Sequence, residues 1–242
     1  MTVGDEHSVN IIAASEAVSE LAPFGIRAFT TTRIVGSFGL KSDEPSHVVT
    51  ERWSALRAEL ESGGPRLASA NQVHGNRVLV HRDCWEGWLR AGDADGHAAV
   101  ARGTALAVSV ADCVPVFVAH PSGAVALLHS GWRGTAARIV ERGIEALAQR
   151  GFSPSELRVH TGPAICGKCY EVSADVYAQL TGRNPGKPTT VDLRDLIAGH
   201  ARDAGVIHIS TTASCTRCDN DRFFSHRAGD TGRQLGVMIA DI

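Results

Sequence analysis

Residues 108–133, VSVADCVPVFVAHPSGAVALLHSGWR, constrain the fold of this chain more than any other stretch. Two runs rich in Val, Ala, Leu and Phe flank the turn-forming residues His120-Pro121-Ser122-Gly123, so the segment reads as a β-hairpin. A hairpin centred near Pro121 and Ser122 sets residue 113 against residue 129 or 130. Directly opposed residues carry Cβ atoms about 5 Å apart, so Cys113 and His129 are expected as neighbours where apolar packing ends. A slip of one residue would turn them to opposite faces. The register therefore decides whether they can act together.

The flanking sequence alternates helix and strand signals. Val49, Trp53, Leu56 and Leu60 recur at helical spacing in 46–61, and Ser62-Gly63-Gly64-Pro65 stops that helix. Ala136, Ile139/Val140, Gly143/Ile144 and Leu147 form a second stripe, predicting one helix after Gly131 that ends at Gly151. Further helices are expected over 173–180 and 193–204, with strands at 26–32, 77–81, 157–161, 206–211 and 235–240. Residues 93–97 and 215–230 read as loop. Alternating helices and strands around a central hairpin predict a single domain of the α/β (mixed α+β) type, built on a mixed rather than an all-parallel sheet. Residues 1–25 form an N-terminal segment and 26–242 the domain proper.

A chain of 242 residues can bury a substantial core. Its formal charge of −2 gives no electrostatic reason to expect a nucleic acid or an anionic membrane as partner. No apolar run approaches the roughly 20 residues needed to span a bilayer. The N-terminus, MTVGDEHSVN, lacks the basic and apolar regions of a signal peptide. A cytoplasmic location is the expectation, and there six cysteines serve as metal ligands, catalytic thiols or buried small residues rather than disulfides. His7, His47 and His97 lie in polar stretches and read as solvated.

Three residues draw chemistry together. His74 precedes a strand in NQVHG. Cys113 follows Asp112, a carboxylate that is costly in a core unless hydrogen-bonded. His129 stands where an apolar strand gives way to a glycine-rich turn. Singly, His74 reads as a satisfied loop histidine, Cys113 as an inert small hydrophobe and His129 as a cap. Together, one thiolate and two imidazoles make a zinc set with a fourth position open, the arrangement of catalytic zinc. Free N–H groups at Ser130-Gly131-Trp132-Arg133-Gly134-Thr135 suit a phosphate, with Arg133 or Arg33 alongside, or mark a simple turn. Cys166-x2-Cys169 and Cys215-x2-Cys218 offer a rival four-cysteine structural site. Tyr170, Glu171, Phe223, Phe224, His226 and Arg227 line a pocket or pack a loop.

NQVHG (71–75), ADCVPV (111–116), HSGWRGTAARIV (129–140), GPAICGKCYEV (162–172) and CTRCDNDRFFSHRAGDTGRQ (215–234) occur in the order seen in the YfiH family, also called the multicopper polyphenol oxidoreductase or laccase-domain family. The chain resembles that family from about Thr31 to its C-terminus. The resemblance implies a fold of layered mixed β-sheets with helices, grouped with cysteine hydrolases related to a deamidating toxin, and zinc bound by His74, Cys113 and His129. It also implies phosphorolysis of adenosine, inosine and methylthioadenosine, with adenosine deamination alongside. Purine nucleoside and inorganic phosphate would then be the partners, to a monomer or a dimer. Ser130 replaces the family's alanine, Ala99 stands where a threonine is common, and the stretch around Arg33 matches loosely.

The resemblance also brings rival readings. Copper-dependent phenol oxidation needs several copper ions held by many histidines, and no HxH pair is present. Copper in place of zinc follows affinity order without being native. A cysteine hydrolase would use Cys113 as nucleophile and His129 as base. A peptidoglycan editing factor is the further label of bacterial members. For deamination, Asp112 or Glu171 is expected to shuttle protons, and for phosphorolysis His226 or a zinc-bound water is expected to protonate the departing base.

Overall fold

The central strands are apolar along their length because both of their faces are covered. The computed structural model, which describes residues 9–82 and 84–242, arranges them in two six-stranded mixed sheets packed face to face. In chain order the strands begin with Glu16–Ala17 (β1), Ile26–Thr30 (β2), Arg66–Asn71 (β3), Val78–His81 (β4) and Gly87–Asp93 (β5). Gly96–Ala99 (β6), Thr104–Val110 (β7), Val114–Ala119 (β8), Val125–Ser130 (β9) and Arg158–Thr161 (β10) follow. The last are Glu171–Val172 (β11), Thr189–Thr190 (β12), His208–Thr211 (β13) and Gln234–Ala240 (β14). One sheet runs β1-β2-β14-β7-β3-β5 and the other β13-β10-β8-β9-β6-β4, while β11 and β12 pair separately. β3 runs parallel to β5 and β7, β4 to β6, and β10 to β13.

Alternation along the strands builds three apolar layers. Leu106, Val108 and Val110 of β7 and Met238 of β14 meet Phe117, Val125 and Leu127 between the sheets. The outer face of the first sheet takes the helix Ser46–Leu60 (α1) through Val49, Trp53, Leu56 and Leu60, the four residues of its predicted stripe. The outer face of the second takes Trp132–Ala136 (α2), Ile139–Ala148 (α3), Ala174–Thr181 (α4) and Leu193–Asp203 (α5). Ile139, Val140, Ile144 and Leu147 of α3 and Ile197 of α5 cover Val114, Val116 and Val118 there. Each such aliphatic side chain contributes about 1.5–3 kcal/mol when fully buried. Helix, sheet, sheet and helix therefore stack as four layers. Residues 9–25 join this stack, for β1 pairs with β2 at the sheet edge and Leu21 enters the inter-sheet core.

Five expectations are corrected. The arm 108–119 is not one strand. The chain leaves β7 in one sheet, bends through Ala111–Cys113 with Asp112 in the left-handed region (φ 78°), and enters β8 in the other. The hairpin register is offset from the expected one, with Val114 against Ser130 and Pro115 against His129. Cys113 is therefore a diagonal neighbour of His129, and the two-residue offset keeps both on one face. The single helix after Gly131 is two, broken where Arg138 takes φ 59°. Residues 93–97 are strand ends around a tight corner, and His97 is buried at 0% exposure, not solvated. His47 is exposed, and His7 lies outside the described residues.

Candidate functional site

The corner where the chain changes sheets is also where the three chemical side chains meet. Cys113 ends the bend, His129 sits near the end of β9, and His74 stands in the turn after β3 with φ 62°. One donor atom from each lies within 4.8 Å of the others. The rings of His74 and His129 meet edge to face, with centroids 4.8 Å apart. Gly131 makes room, because a Cβ there would fall 2.9 Å from Cys113 Sγ and 3.2 Å from His74 Cδ2.

Asp95, at the corner between β5 and β6, organises the set. Its carboxylate accepts from the backbone N–H groups of Val73, His74 and Gly75 at 3.2, 2.9 and 2.7 Å, and so folds the NQVHG turn around itself. It also accepts from His129 Nδ1 at 2.8 Å, which leaves Nε2 for Cys113 and His74. Asp95 is 0% exposed, so nothing but these donors compensates its charge. Burial would raise its carboxyl pKa, but the bonds from His129 and Gly75 hold it below the usual carboxylate range. No local pattern marks Asp95 in the sequence. Its small neighbours Ala94 and Gly96 are the one sign that the chain packs closely there.

The electrostatics of the trio favour a charged pair. Burial works against ionisation of Cys113, yet His129 and His74 outweigh it and draw the thiol down to about 6. Burial likewise works against a proton on His129, but Cys113 and Asp95 push it up to about 9. A thiolate is thus ready at neutral pH. Thiolate and imidazoles are a donor set suited to zinc or another borderline metal, and a carboxylate bonded to the far nitrogen of a ligand histidine is the usual outer support of such a site. The order Cys113, His129, Asp95 is equally that of nucleophile, base and orienting group.

The trio lies in an open cleft of about 420 Å³ between the 38–42 loop, the end of β3, β7 and the 226–233 loop. His226 lines it, and so do Lys41, Arg90 and Arg233, cations that did not stand out in the sequence. The other expected residues are placed elsewhere. Arg33 donates to Asp230 Oδ2 at 2.6 Å and to the carbonyls of Asn220 and Phe223, and it stacks 4.4 Å from the Phe224 ring. It ties down the loop. Arg133 is exposed and lies 4.3 Å over Trp132.

Asp112 has both carboxylate oxygens engaged, by the Thr216 hydroxyl at 2.6 Å and the Arg227 N–H at 2.7 Å. Those bonds make it an anchor for the C-terminal loop rather than a free proton carrier. Arg227 donates to the Glu171 carbonyl and stacks 5.0 Å from the Tyr170 ring. Burial, then Cys113, pushes the Tyr170 phenol up to about 12. Tyr170 and Arg227 therefore stack on one another beside the bend that carries Asp112, while the Glu171 side chain is exposed.

Known proteins share this sequence and fold. Residues 35–241 match the family model described as multi-copper polyphenol oxidoreductase laccase. The chain is 34% identical over 211 residues to a Streptomyces griseus protein named purine nucleoside phosphorylase, covering 84% of this chain and 85% of that one. It is 35% identical over 231 residues to a Mycobacterium tuberculosis protein of the same name, covering 88% and 91%. The crystal structure of YlmD from Geobacillus stearothermophilus superposes with a TM-score of 0.84 at 28% identity, over 91% of this chain and 94% of that one. YfiH from Bacillus licheniformis shares the fold at a TM-score of 0.83 and 24% identity, over 93% and 96%.

Proposed function

The chain belongs to the multi-copper polyphenol oxidoreductase laccase family, the YfiH family, and on that premise we propose that it is a zinc-dependent purine nucleoside phosphorylase. The observation that carries the reading is the meeting of His74, Cys113 and His129, the last held by the Asp95 carboxylate, in a cleft large enough for a nucleoside. When bound there, zinc supplies a Lewis acid and a source of hydroxide near neutral pH. The rest falls to the chain itself.

Phosphorolysis joins a phosphate oxygen to C1′ of the ribose as the bond from C1′ to the purine nitrogen breaks, and the departing base takes up a proton. Phosphate needs cations, and the cleft offers Lys41, Arg90 and Arg233. These replace Arg33, whose guanidinium is already committed to Asp230. The base needs a proton source, and His226 is the cleft imidazole outside the metal set. Adenosine deamination is a secondary activity of the same cleft, in which water adds at C6 and ammonia leaves.

The order Cys113, His129, Asp95 favours a second reading, a cysteine hydrolase. A chelator-free protein whose Cys113 alkylates readily would support it, whereas a metal ligand is shielded. Multicopper oxidation finds less support, for the described residues gather two imidazoles and a thiolate in one cluster and four thiolates in another. The deciding experiment incubates purified protein with inosine, adenosine and methylthioadenosine, with and without phosphate, and separates the products by chromatography. Free base and ribose 1-phosphate that form only with phosphate are the expected result. Inosine from adenosine reports deamination. No free base from any of the three nucleosides would overturn the phosphorylase reading.

A further inference from the structure

Four of the six cysteines take no part in the cleft chemistry, yet the fold brings them together. Cys166 and Cys169 lie after β10, and Cys215 and Cys218 lie after β13. A parallel bridge between Ala164 and Cys215, with the Thr216 N–H donating to the Ala164 carbonyl at 3.1 Å, sets the two CxxC segments side by side. The four sulfurs lie within 4.8 Å of one another, and Cys169 and Cys218 Sγ are 3.5 Å apart. Four thiolates around one zinc at about 2.3 Å would stand about 3.8 Å from each other. A disulfide needs about 2.0 Å, and all six cysteines are free.

From this juxtaposition we propose that Cys166, Cys169, Cys215 and Cys218 bind a second zinc ion, purely structural, separate from the His74–Cys113–His129 centre. The second sulfur environment fits a thiolate cage. Cys215 Sγ accepts from the backbone N–H groups of Cys166 at 3.2 Å and Cys218 at 3.4 Å. Such bonds to sulfur stabilise negative charge on it. Four thiolates on one zinc leave a net charge of −2, and each two-residue spacer carries a cation, Lys168 in one and Arg217 in the other. Cysteine alone as donor, with no open position, is the pattern of a structural site.

The position explains what the ion does. Ile165, beside the first pair, donates its N–H to the Asp112 carbonyl at 3.1 Å, and Thr216, within the second pair, donates to the Asp112 carboxylate. The four-cysteine unit thus clamps both supports of the bend that presents Cys113, and it fixes the start of the loop that carries His226. Two segments separated by 45 residues are held as one piece.

Metal analysis of the full-length protein, purified under reductant, tests the proposal. About two zinc ions per chain are expected in the wild type. The Cys113→Ala variant loses one and keeps one, and the Cys169→Ser/Cys218→Ser variant does the same from the other site. Should the double variant fail to fold, cobalt in the Cys113→Ala protein still decides, because that protein has no thiolate at the first centre. A thiolate-to-cobalt charge-transfer band and tetrahedral visible bands are then expected from the four cysteines alone. Absence of that band, or Cys166–Cys215 and Cys169–Cys218 disulfides in the intact-mass and peptide spectra, would overturn the proposal. Neither result touches the phosphorylase reading, which stands or falls on the first centre.

Discussion

Asp95 Oδ1 lies 2.8 Å from His129 Nδ1, and the two side chains are 0% and 3% exposed. This buried contact fixes the tautomer that turns Nε2 of His129 toward Cys113. Asp95→Asn keeps the shape and removes the charge. Metal affinity is expected to fall about 10–100-fold, as for other outer-shell partners of ligand histidines, and a chelator competition assay measures it. Unchanged affinity would show that Asp95 serves the fold alone.

Gly131 packs against two of the donors without a strained backbone, at φ −80°. Gly131→Ala brings a methyl group 2.9 Å from Cys113 Sγ, too close for the thiolate and the His74 ring to keep their places. Circular dichroism is expected to stay native while bound metal drops below one equivalent at the first centre. Full occupancy in the variant would mean that the corner is softer than its packing indicates.

The Cys113 thiol, drawn down to about 6, gives metal-free protein a thiolate at neutral pH. Its alkylation rate by iodoacetamide should rise with a midpoint near pH 6, against about 8.5 for an ordinary cysteine. Added zinc should suppress that reaction. The remaining cysteines are separated from Cys113 by peptide mapping. A midpoint at the ordinary value would remove the charged pair from the mechanism.

Acid sensitivity should arise from a pair away from the cleft. His81 Nε2 and His97 Nδ1 lie 2.9 Å apart in the second sheet, and burial, then His81, lowers His97 to about 3. The unfolded chain takes up that proton near pH 6.5 and the folded one does not. The contribution of this histidine is therefore most favourable above pH 6.5 and is lost as pH falls toward 3. Between pH 6.5 and about 4.5 the loss amounts to about 2–3 kcal/mol. Urea unfolding across that range, with His97→Asn as comparison, measures it; the variant should give the flatter curve.

The periodic parts of the fold were legible because their signal is local. The α1 stripe at Val49, Trp53, Leu56 and Leu60 needs only sequence spacing, and all four side chains are buried. What stayed hidden depends on remote partners. β5, GWLRAGD, has no apolar alternation and is a strand only because β3 pairs with it in parallel. The helix break at Arg138 interrupts no periodic residue, so the stripe reads straight through it. Cys113, His74 and His129 could be grouped from donor chemistry, whereas Asp95 gains its meaning from three N–H groups some 20 residues earlier in the chain and an imidazole 34 residues later.

The most direct test pairs zinc content at the first centre with phosphate-dependent release of base from inosine, measured on the wild type and on His74→Ala, Cys113→Ala and His129→Ala. Each variant is expected to lose that zinc ion and the release of base together while keeping a native circular dichroism spectrum. Normal turnover of inosine by a Cys113→Ala protein that lacks the ion would contradict the assignment of this centre to catalysis.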